Sequence, residues 1–394
     1  MPALIGHLLL VLLALPLLAA CAYLLVLSLC SAGLPAPPRS SRRLRFDVIV
    51  PAHNEALVIE RCLASLRQLD WPADRCWLMV IADNCSDDTA AVARAAGADV
   101  RERNDPLLRG KGHALRVALT ISAEGQWADA VVIVDADTEV SPNLLEACAA
   151  RIEAGAGAVQ AHYGVLNPDE SWRTGLMAIA HGAIHGLRFR ARERLALSCG
   201  LRGNGWCLSH ALLAEVPYRA WSLTEDLEYG IALGLAGHRV HYAAEACANA
   251  VMESSADVAA GQRQRWEGGR FALVRSQTGP LLAAAWRQRS RVCLDLALDL
   301  LVPPLSWLVL GSLLLAGAAL ALSLLRGRAS GWLWPAGFAG VSLLVYVLRG
   351  WQLSGRGAAG LRDLLRVPLF LLWKLGLLRR RRPDGWQATQ RRAR

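Results

Sequence analysis

Long apolar stretches lie towards both ends of this 394-residue sequence. At the amino end, residues 4–30 contain no Asp, Glu, Lys or Arg. A helix over this stretch rises about 1.5 Å per residue and therefore exceeds the ~30 Å hydrocarbon core of a bilayer. No basic segment precedes the stretch, and it is longer than the apolar part of a signal peptide. The pattern predicts a transmembrane anchor.

Two further apolar stretches predict a membrane hairpin near the other end. Residues 300–325 and 332–348 carry no formal charge, and only a short arginine-bearing turn separates them. Residues 364–378 are also rich in leucine, but they contain Arg366 and Lys374. This last stretch is typical of an amphipathic helix at the membrane surface and less so of a fourth span.

The section between these stretches shows short apolar runs that alternate with amphipathic stretches. The apolar runs predict buried β-strands at residues 46–50, 77–82, 98–102 and 130–134. The amphipathic stretches predict helices at residues 55–69, 86–97 and 111–123, and another that opens at Ser141-Pro142. Repeated strand–helix units of this length indicate an α/β fold with a mostly parallel sheet and helices on both faces.

Charge is unevenly distributed along the chain. The net charge is +10, but the tail from Arg349 onward holds 12 basic and two acidic residues, and the section from Phe46 to Leu348 is net negative. A nucleic-acid-binding domain needs a basic surface, so we expect no nucleic-acid partner. We expect the basic tail to contact the anionic headgroups of membrane lipids.

The flanking residues also predict an orientation. Four arginines follow the first apolar stretch across a Pro-rich link, which favours a cytoplasmic middle domain. The ten cysteines show no paired spacing, as expected for reduced thiols. We predict a multi-pass protein of the inner cell membrane. Its predicted parts are an anchor (1–31), a basic linker (32–45), a cytoplasmic domain (46–277), an interfacial segment (278–299), a transmembrane hairpin (300–349), and a basic interfacial helix with its tail (350–394).

Polar and acidic residues follow three of the predicted strands. The first strand runs into Pro51-Ala52-His53-Asn54-Glu55, the second ends at Asp83, and the fourth ends in Asp135-Ala136-Asp137. Carboxyl ends of parallel strands meet at one edge of a sheet, where ligands bind. An Asp-x-Asp pair can simply cap a turn. Directly after a buried strand, its oxygen atoms also suit Mg²⁺ or Mn²⁺ bound to a diphosphate, and we favour that interpretation.

Several common site motifs are missing from the sequence. It has no P-loop of the form Gly-x-x-x-x-Gly-Lys-Ser/Thr, no Gly-x-Gly-x-x-Gly after the first strand, and no Gly-x-Ser-x-Gly. P-loop nucleotide hydrolysis, dinucleotide binding and serine hydrolysis are therefore disfavoured. His181 and His185 have the spacing of metal ligands on a helix but no intervening glutamate, so we expect them on the polar face of a helix.

Three more motifs lie beyond the fourth predicted strand. They are Gly203-Asn204-Gly205, Thr224-Glu225-Asp226 and Gln262-x-x-Arg265-Trp266. Taken singly, each has an ordinary structural explanation, because threonine and acidic residues favour a helix start and the last motif fits an amphipathic helix. Their order and their co-occurrence with the acidic strand ends favour a functional role.

The whole set resembles the inverting glycosyltransferases of the cellulose, chitin and hyaluronan synthase superfamily, glycosyltransferase family 2. The likeness covers about residues 46–277 and implies a nucleotide-sugar-binding domain of the glycosyltransferase A type, set between transmembrane helices. One departure is Asp83-Asn84-Cys85-Ser86, where the family usually has Asp-Asp-Gly-Ser. Asn84 must therefore supply polar contacts without charge.

The resemblance implies a role for each motif residue. Asp226 would be the base that activates the acceptor hydroxyl. The nucleotide-sugar donor would be held by Pro51, His53, Glu55, Asp83, Lys111 and Asp135. The acceptor and the diphosphate would be bound by Gly203, Asn204, Glu225, Gln262, Arg265 and Trp266. A divalent metal, Mg²⁺ or Mn²⁺, would be held by Asp135 and Asp137.

The function implied by the resemblance is inverting transfer of a sugar from a UDP-sugar onto a growing poly- or oligosaccharide at the cytoplasmic membrane face. Three predicted spans are few for one chain to enclose a polysaccharide channel. Single glycosylation of a membrane lipid is therefore an alternative, and a non-catalytic scaffold is a third. A second copy of the chain or an export partner would fit the first of these functions.

Overall fold

The computed structural model describes residues 2–377, except for the side chains of residues 2–9, 256, 257, 259 and 377. Residues 378–394, which include the arginine run at 379–382 and the last part of the predicted basic tail, lie outside the described residues. The helices are α1 (Pro2–Leu29), α2 (Ile59–Arg67), α3 (Thr89–Ala95), α4 (Lys111–Gly125), α5 (Leu144–Glu153), α6 (Trp172–His181), α7 (Phe189–Arg194), α8 (His210–Glu215), α9 (Glu225–Leu235), α10 (Ala256–Arg287), α11 (Arg291–Leu301), α12 (Leu305–Arg326), α13 (Leu333–Leu353), α14 (Gly357–Leu364) and α15 (Val367–Leu377).

A single mixed sheet forms the centre of the middle domain. Its strands are β1 (Phe46–Ala52), β2 (Cys76–Asp83), β3 (Asp99–Arg103), β4 (Ala130–Ile133), β5 (Thr138–Val140), β6 (Ala158–Val165), β7 (Trp206–Ser209) and β8 (Val240–Ala250). Their order across the sheet is β3-β2-β1-β4-β7-β6-β8-β5. This arrangement places the ends of β1, β2 and β4 side by side.

The four strands predicted from the sequence form the parallel half of this sheet. β1 pairs in parallel with both β2 and β4, and β2 pairs in parallel with β3. The other half is mixed: β6 and β8 pair in parallel, whereas β7 runs antiparallel to both β4 and β6. β7 follows the loop around Gly203 and not a crossover helix, so nothing in its short sequence marks its direction.

Helices cover both faces of the sheet, as predicted. Val48 and Val50 point to one face, where Leu63 of α2 packs, and Ile49 points to the other face, towards Leu115 of α4. All five side chains are buried. Strands covered on both faces read as continuous apolar runs, which explains why the sequence pattern identified β1 and β4 so clearly.

Three helices in the described part of the chain are long and apolar enough to cross a membrane: Leu10–Leu29, Leu305–Arg326 and Leu333–Leu353. They agree with the predicted anchor and hairpin. The ends of α1 and α13 that face the sheet domain meet through Arg349, which donates to the hydroxyl of Ser31 (3.0 Å) and to its carbonyl oxygen (2.8 Å).

Two regions differ in detail from the sequence prediction. The predicted domain boundary at residue 277 falls inside α10, which continues to Arg287. The predicted interfacial segment 278–299 is therefore divided between the end of α10 and α11, and Leu296 of α11 packs against Leu227 of α9. The first predicted helix begins at Ile59 and not at residue 55, because the preceding residues bond to the loop after β2.

The expectation for His181 and His185 was wrong. Both side chains are buried, and their rings stack on each other with centroids 4.7 Å apart. The chain from Gly182 to Arg188 is a π-helix that lies against α13, where a Cβ on Gly182 would meet the carbonyl oxygen of Gly350 at 2.3 Å. The close helix contact accounts for the burial that the spacing alone did not indicate.

Candidate active site

Lys111 joins segments that are far apart in the sequence. It is the first residue of α4 and follows Gly110, whose φ is +117°. Its Nζ lies 2.6 Å from Oδ1 of Asp135, which follows β4, and 3.5 Å from Oε1 of Glu225, the first residue of α9. It also donates to the carbonyl oxygen of Gly203 at 2.8 Å. These contacts assemble a cluster at the carboxyl ends of the parallel strands.

Asp226 belongs to the same cluster through the Gly203 loop. The backbone N–H of Gly203 donates to Oδ2 of Asp226. Gly203 has φ +60°, and a Cβ on it would lie 2.3 Å from the ring of Tyr163 on β6. The loop therefore requires glycine at this position. Asn204, next in the loop, is fully buried.

The acidic groups of the cluster are held in a low-dielectric environment. Burial raises the pKa of Asp135, Lys111 opposes this rise, and Asp137 adds to it. Burial lowers the pKa of Lys111, but the charges of Asp135 and Glu225 outweigh burial and raise it. The positive charge of the Lys111 ammonium group therefore offsets the repulsion between the carboxylates that lie close together here.

Glu225 makes the stability of the protein depend on pH. Burial raises the pKa of its carboxyl from 4.5 to about 7. The raised pKa means that the folded state favours the protonated form of Glu225. Protonation therefore stabilises the folded state fully below about pH 4.5, and this stabilisation is lost as the pH rises through about 7.

We expect Glu225→Gln to remove this dependence. The melting temperature of the variant relative to the wild type should rise between pH 5 and pH 8, because only the wild type must ionise a buried carboxyl. Differential scanning fluorimetry in detergent measures the difference, with Glu124→Gln on the exposed end of α4 as the control. A difference that stays constant from pH 5 to pH 8 would contradict the prediction.

The residues predicted to hold the nucleotide lie at the ends of β1 and β2. Pro51 pairs with Ile81 across these strands. A ring nitrogen of His53, Nδ1, donates to the carbonyl oxygen of Asp83 at 2.7 Å. The N–H of Glu55 donates to Oγ1 of Thr89 at 2.8 Å. The three predicted residues thus lie at the same edge of the sheet as Asp135, at the end of the neighbouring β4.

Two residues of the site were not found by sequence reasoning. Arg103 ends β3 and pairs with the buried carboxylate of Asp83, which fixes that carboxylate at the strand end. Tyr163 lies under Gly203; burial raises the pKa of its hydroxyl, and the charges of Asp137, Asp135 and Asp226 raise it further. An arginine at the end of the third predicted strand was a usable signal for Arg103. Nothing in the local sequence marks Tyr163.

The Gln262-x-x-Arg265-Trp266 motif lies on α10, the helix whose Gly269 packs against the residue before α9. Residues 262, 266 and 269 share one face of this helix by their spacing. A Cβ on Gly269 would lie 2.8 Å from Cγ2 of Thr224, so this face of α10 reaches the start of α9. Arg265 is half-buried, and burial lowers its pKa.

Gln262 and Trp266 border a small cavity. Its lining consists of Arg173, Met177, Met252, Glu253, Gln262, Arg263, Trp266, Phe370 and Trp373. Met252 belongs to the same apolar group as Tyr163, which underlies Gly203, so the cavity adjoins the cluster. The structure thus links Lys111, Asp135, Gly203, Glu225 and Asp226 through direct contacts. Gln262 and Trp266 of the α10 motif line a cavity that reaches this cluster through Met252 and Tyr163.

The backbone of Asp137, the second acidic residue of the Asp-x-Asp pair, lies next to the residue that follows β8. Its carbonyl oxygen accepts from the N–H of Val251 at 3.3 Å. Within residues 2–377, no group of three or more His, Cys, Asp or Glu side chains is arranged to hold a metal ion. Two carboxylates are nevertheless the usual protein share of a magnesium site that substrate phosphates complete, so the hard oxygen donors of Asp135 and Asp137 fit such an ion.

A separate cavity of about 350 Å³ lies at the other end of the strands. It is lined by residues that include Asp47, Trp77, Ser122 and Trp127, and by none of the predicted site residues. Ligands of open α/β sheets bind at the carboxyl ends of the strands. The cluster around Lys111 is therefore the candidate active site, although the larger of these two cavities lies at the opposite end of the strands.

Comparison with known proteins shows the family of this chain. Residues 43–269, more than half of the chain, match the family described as glycosyltransferase like family 2. The chain belongs to this family. The matched residues include the Lys111 cluster and the motif on α10, and membership confirms the resemblance inferred from the motifs.

Curated relatives of this family 2 protein include two bacterial proteins. An N-acetylglucosaminyltransferase of Rhizobium leguminosarum bv. viciae is 27% identical over 238 residues, which are 57% of this chain and 55% of the relative. Cellulose synthase 2 of Novacetimonas hansenii is 25% identical over 309 residues, which are 73% of this chain and 19% of the relative. The chain therefore spans about half of the first relative and a fifth of the second.

A solved structure shows the same fold. The mannosyltransferase PcManGT from Pyrobaculum calidifontis, in complex with GDP-Man and Mn²⁺, matches with a TM-score of 0.52 and 20% identity. The match covers 86% of this chain and 99% of that protein. It confirms the α/β fold of the glycosyltransferase A type predicted for this family 2 protein.

Proposed function

We propose that this protein transfers a sugar, with inversion, from a UDP-sugar onto a growing saccharide at the cytoplasmic face of the membrane. The observation that carries the proposal is the contact between the Gly203 loop and Asp226, next to Lys111 and Asp135. A base, a cation and diphosphate-binding carboxylates meet there at the end of the sheet where nucleotides bind.

Inverting transfer needs one displacement at the anomeric carbon of the donor. Asp226 accepts the proton of the acceptor hydroxyl, and the hydroxyl oxygen forms the new bond to that carbon. The bond from the anomeric carbon to the phosphate oxygen breaks, and its electron pair leaves with UDP. Because no glycosyl-enzyme intermediate forms, a single carboxylate base suffices.

The leaving UDP gains negative charge that the protein must balance. Lys111 supplies a fixed positive charge beside Asp135, and Arg265 offers a planar guanidinium that can hold two phosphate oxygens. Asp135 and Asp137 would hold a divalent cation, which when bound neutralises charge on the diphosphate. Stabilisation of developing charge is usually the largest contribution to such reactions.

The relatives and the membrane helices support the saccharide acceptor. The matched curated proteins are an N-acetylglucosaminyltransferase and a cellulose synthase. Trp266 presents a flat apolar face next to Gln262 and suits the C–H side of a sugar ring. The three apolar helices anchor the domain so that the product forms at the membrane surface.

A lipid acceptor is the second candidate, and the composition of the small cavity favours it. Met177, Met252 and Phe370 line this cavity beside Trp266. Flexible methionine side chains adapt to irregular apolar ligands, such as an acyl chain. Phe370 belongs to α15, which the sequence predicts at the membrane surface. The chemistry at Asp226 is the same for both acceptors.

Release of UDP tests the proposed reaction. We expect purified protein in lipid nanodiscs to release UDP from one member of a panel of UDP-sugars when a cell-lipid and oligosaccharide extract is added. Excess EDTA should abolish release, and added Mn²⁺ or Mg²⁺ should restore it, because the diphosphate needs the cation. Absence of release from every donor with metal present would refute the proposal.

The size of the product separates the two acceptors. With radiolabelled donor, a saccharide acceptor gives a ladder or polymer that remains in the aqueous phase. A lipid acceptor gives a single labelled species that partitions into organic solvent. Membranes from cells without the protein are the control for both outcomes.

A further inference from the structure

A buried ionic cluster lies between the candidate active site and the membrane helices. At its centre is Asp299 of α11, whose side chain is 3% exposed. Its Oδ1 lies 2.9 Å from Nη1 of Arg188 and 2.7 Å from Nη2 of Arg192, and its Oδ2 lies 2.7 Å from Nη2 of Arg202. One carboxylate therefore binds three arginines from separate turns of the chain.

Two of these arginines connect Asp299 to membrane helices. Nε of Arg188 donates to the hydroxyl of Tyr346 on α13 at 2.9 Å. Nη2 of Arg192 donates to the hydroxyl of Tyr23 on α1 at 2.6 Å. Arg188 on the π-helix and Arg192 on the following α7 thus each bond to an apolar helix while sharing the carboxylate of Asp299.

The third arginine connects Asp299 to the Gly203 loop. Arg202 directly precedes Gly203, and its backbone N–H donates to Oε1 of Gln160 at 2.9 Å. Nε2 of Gln160 in turn donates to the carbonyl oxygen of Asn204 at 2.8 Å. The backbone on both sides of Gly203 is therefore fixed, by Asp299 on one side and by the buried Gln160 underneath.

α10 bonds to the end of α11 that carries Asp299. Nη2 of Arg270 donates to the carbonyl oxygens of Asp299 (2.6 Å), Leu300 (3.1 Å) and Val302 (2.6 Å). These carbonyls lie at the end of α11, where helices leave carbonyl groups without partners inside the helix. The helix that carries Gln262 and Trp266 is thus held relative to Asp299 as well.

Such a cluster is poorly explained by stability alone. Buried ion pairs often stabilise a fold no better than apolar side chains of the same volume, because each charge must be desolvated. In some proteins, buried charges instead specify one defined geometry. Here the cluster connects the Gly203 loop with α10 and with two membrane helices.

We propose that Asp299 is a positioning residue for sugar transfer: through Arg202 it holds the Gly203 N–H against Asp226 and sets the active-site loop relative to the membrane helices. The proposal rests on the proposed function of Asp226. The part of the donor site at His53 and Asp83 belongs to other strand ends, and Lys111, which contacts the Gly203 carbonyl oxygen, keeps its separate ion pair with Asp135.

Arg202→Gln separates positioning from donor binding, because it removes one contact of Asp299 and leaves Arg188 and Arg192 paired. We expect kcat for UDP release to fall by about tenfold to a hundredfold, since small misplacements of catalytic groups have effects of this size. The Kd for UDP should stay within about twofold. Arg202→Lys, which keeps the charge, should retain more activity than Arg202→Gln.

Hydrogen–deuterium exchange gives a readout that does not need turnover. The peptide covering residues 200–205 should exchange faster in Arg202→Gln, because the loop is no longer anchored to Asp299 and the Gly203 N–H is held less firmly against Asp226. Asp299→Asn should do the same and should also lower the melting temperature. Asp295→Asn is the matched control, since Asp295 pairs with Arg192 and Tyr23 but not with Arg202.

The outcomes are distinct. Unchanged exchange at residues 200–205 in Arg202→Gln would overturn the proposal, whether or not kcat falls. Equal loss of kcat and equal exchange in Arg202→Gln and Asp295→Asn would show a purely structural role and would also overturn it. Absence of UDP release by the wild-type protein would refute the proposed function, while the exchange experiment would still test the positioning.

Discussion

Asp226→Asn is expected to lower the rate of sugar transfer by about 10²–10⁴-fold, the range typical for loss of a general base. The asparagine side chain keeps an oxygen that can accept the N–H of Gly203, so the loop can keep its position. What disappears is the group that takes the proton from the acceptor hydroxyl. The variant should therefore bind UDP with nearly the affinity of the wild-type protein.

Two measurements check this prediction. Isothermal titration with UDP measures donor-side binding, and release of UDP on addition of acceptor measures transfer. Asp129→Asn is the matched control, because this carboxylate pairs with Arg45 at the opposite end of the strands. Transfer by Asp226→Asn within tenfold of the wild-type rate would show that another group is the base.

Lys111→Met is expected to weaken UDP binding by about 10–100-fold, which corresponds to one lost charged contact. The ammonium group lies between Asp135 and Glu225, and the methionine leaves their charges unbalanced. A diphosphate would then approach carboxylates without the fixed cation beside them. Transfer at saturating donor should fall as well, because the leaving group loses a stabilising charge.

The sequence offers a close control for this variant. Lys374 is the only other lysine in the chain, and it pairs with Glu267 at 2.6 Å in a buried position on α15. Lys374→Met removes a buried lysine whose partner, Glu267, follows Trp266 on α10 and lies outside the Lys111 cluster, so UDP affinity should fall much less than in Lys111→Met. If both variants bind UDP as the wild type does, Lys111 is not part of the donor site.

Predictability differed between the parts of the fold. β1 and β4 are buried on both faces, so their residues are uniformly apolar and the pattern identified them. β7 has only four residues, and its direction depends on pairing with β4 and β6. Similarly, the spacing of His181 and His185 indicated a helix, but only the approach of α13 buries that helix.

The candidate site shows the same division. Asp135 and Asp137 could be found because they directly follow a strand, and ligands bind at strand ends. The side chain of Lys111 could be placed near a nucleotide only through the family resemblance. Its contact with Glu225 depends on how α9 packs against the sheet, and local sequence carries no information about that packing.

By itself, the sequence determined three apolar helices, a strand–helix alternation and acidic strand ends, because periodicity and composition act over short distances along the chain. Only the tertiary structure decided that Lys111, Gly203 and Asp226 meet, and that Asp299 ties Arg202 to Tyr23 and Tyr346 through neighbouring arginines. These contacts join residues from tens to hundreds of positions apart. They arise from the packing of α9, α11, α1 and α13 around one sheet, which no local pattern encodes.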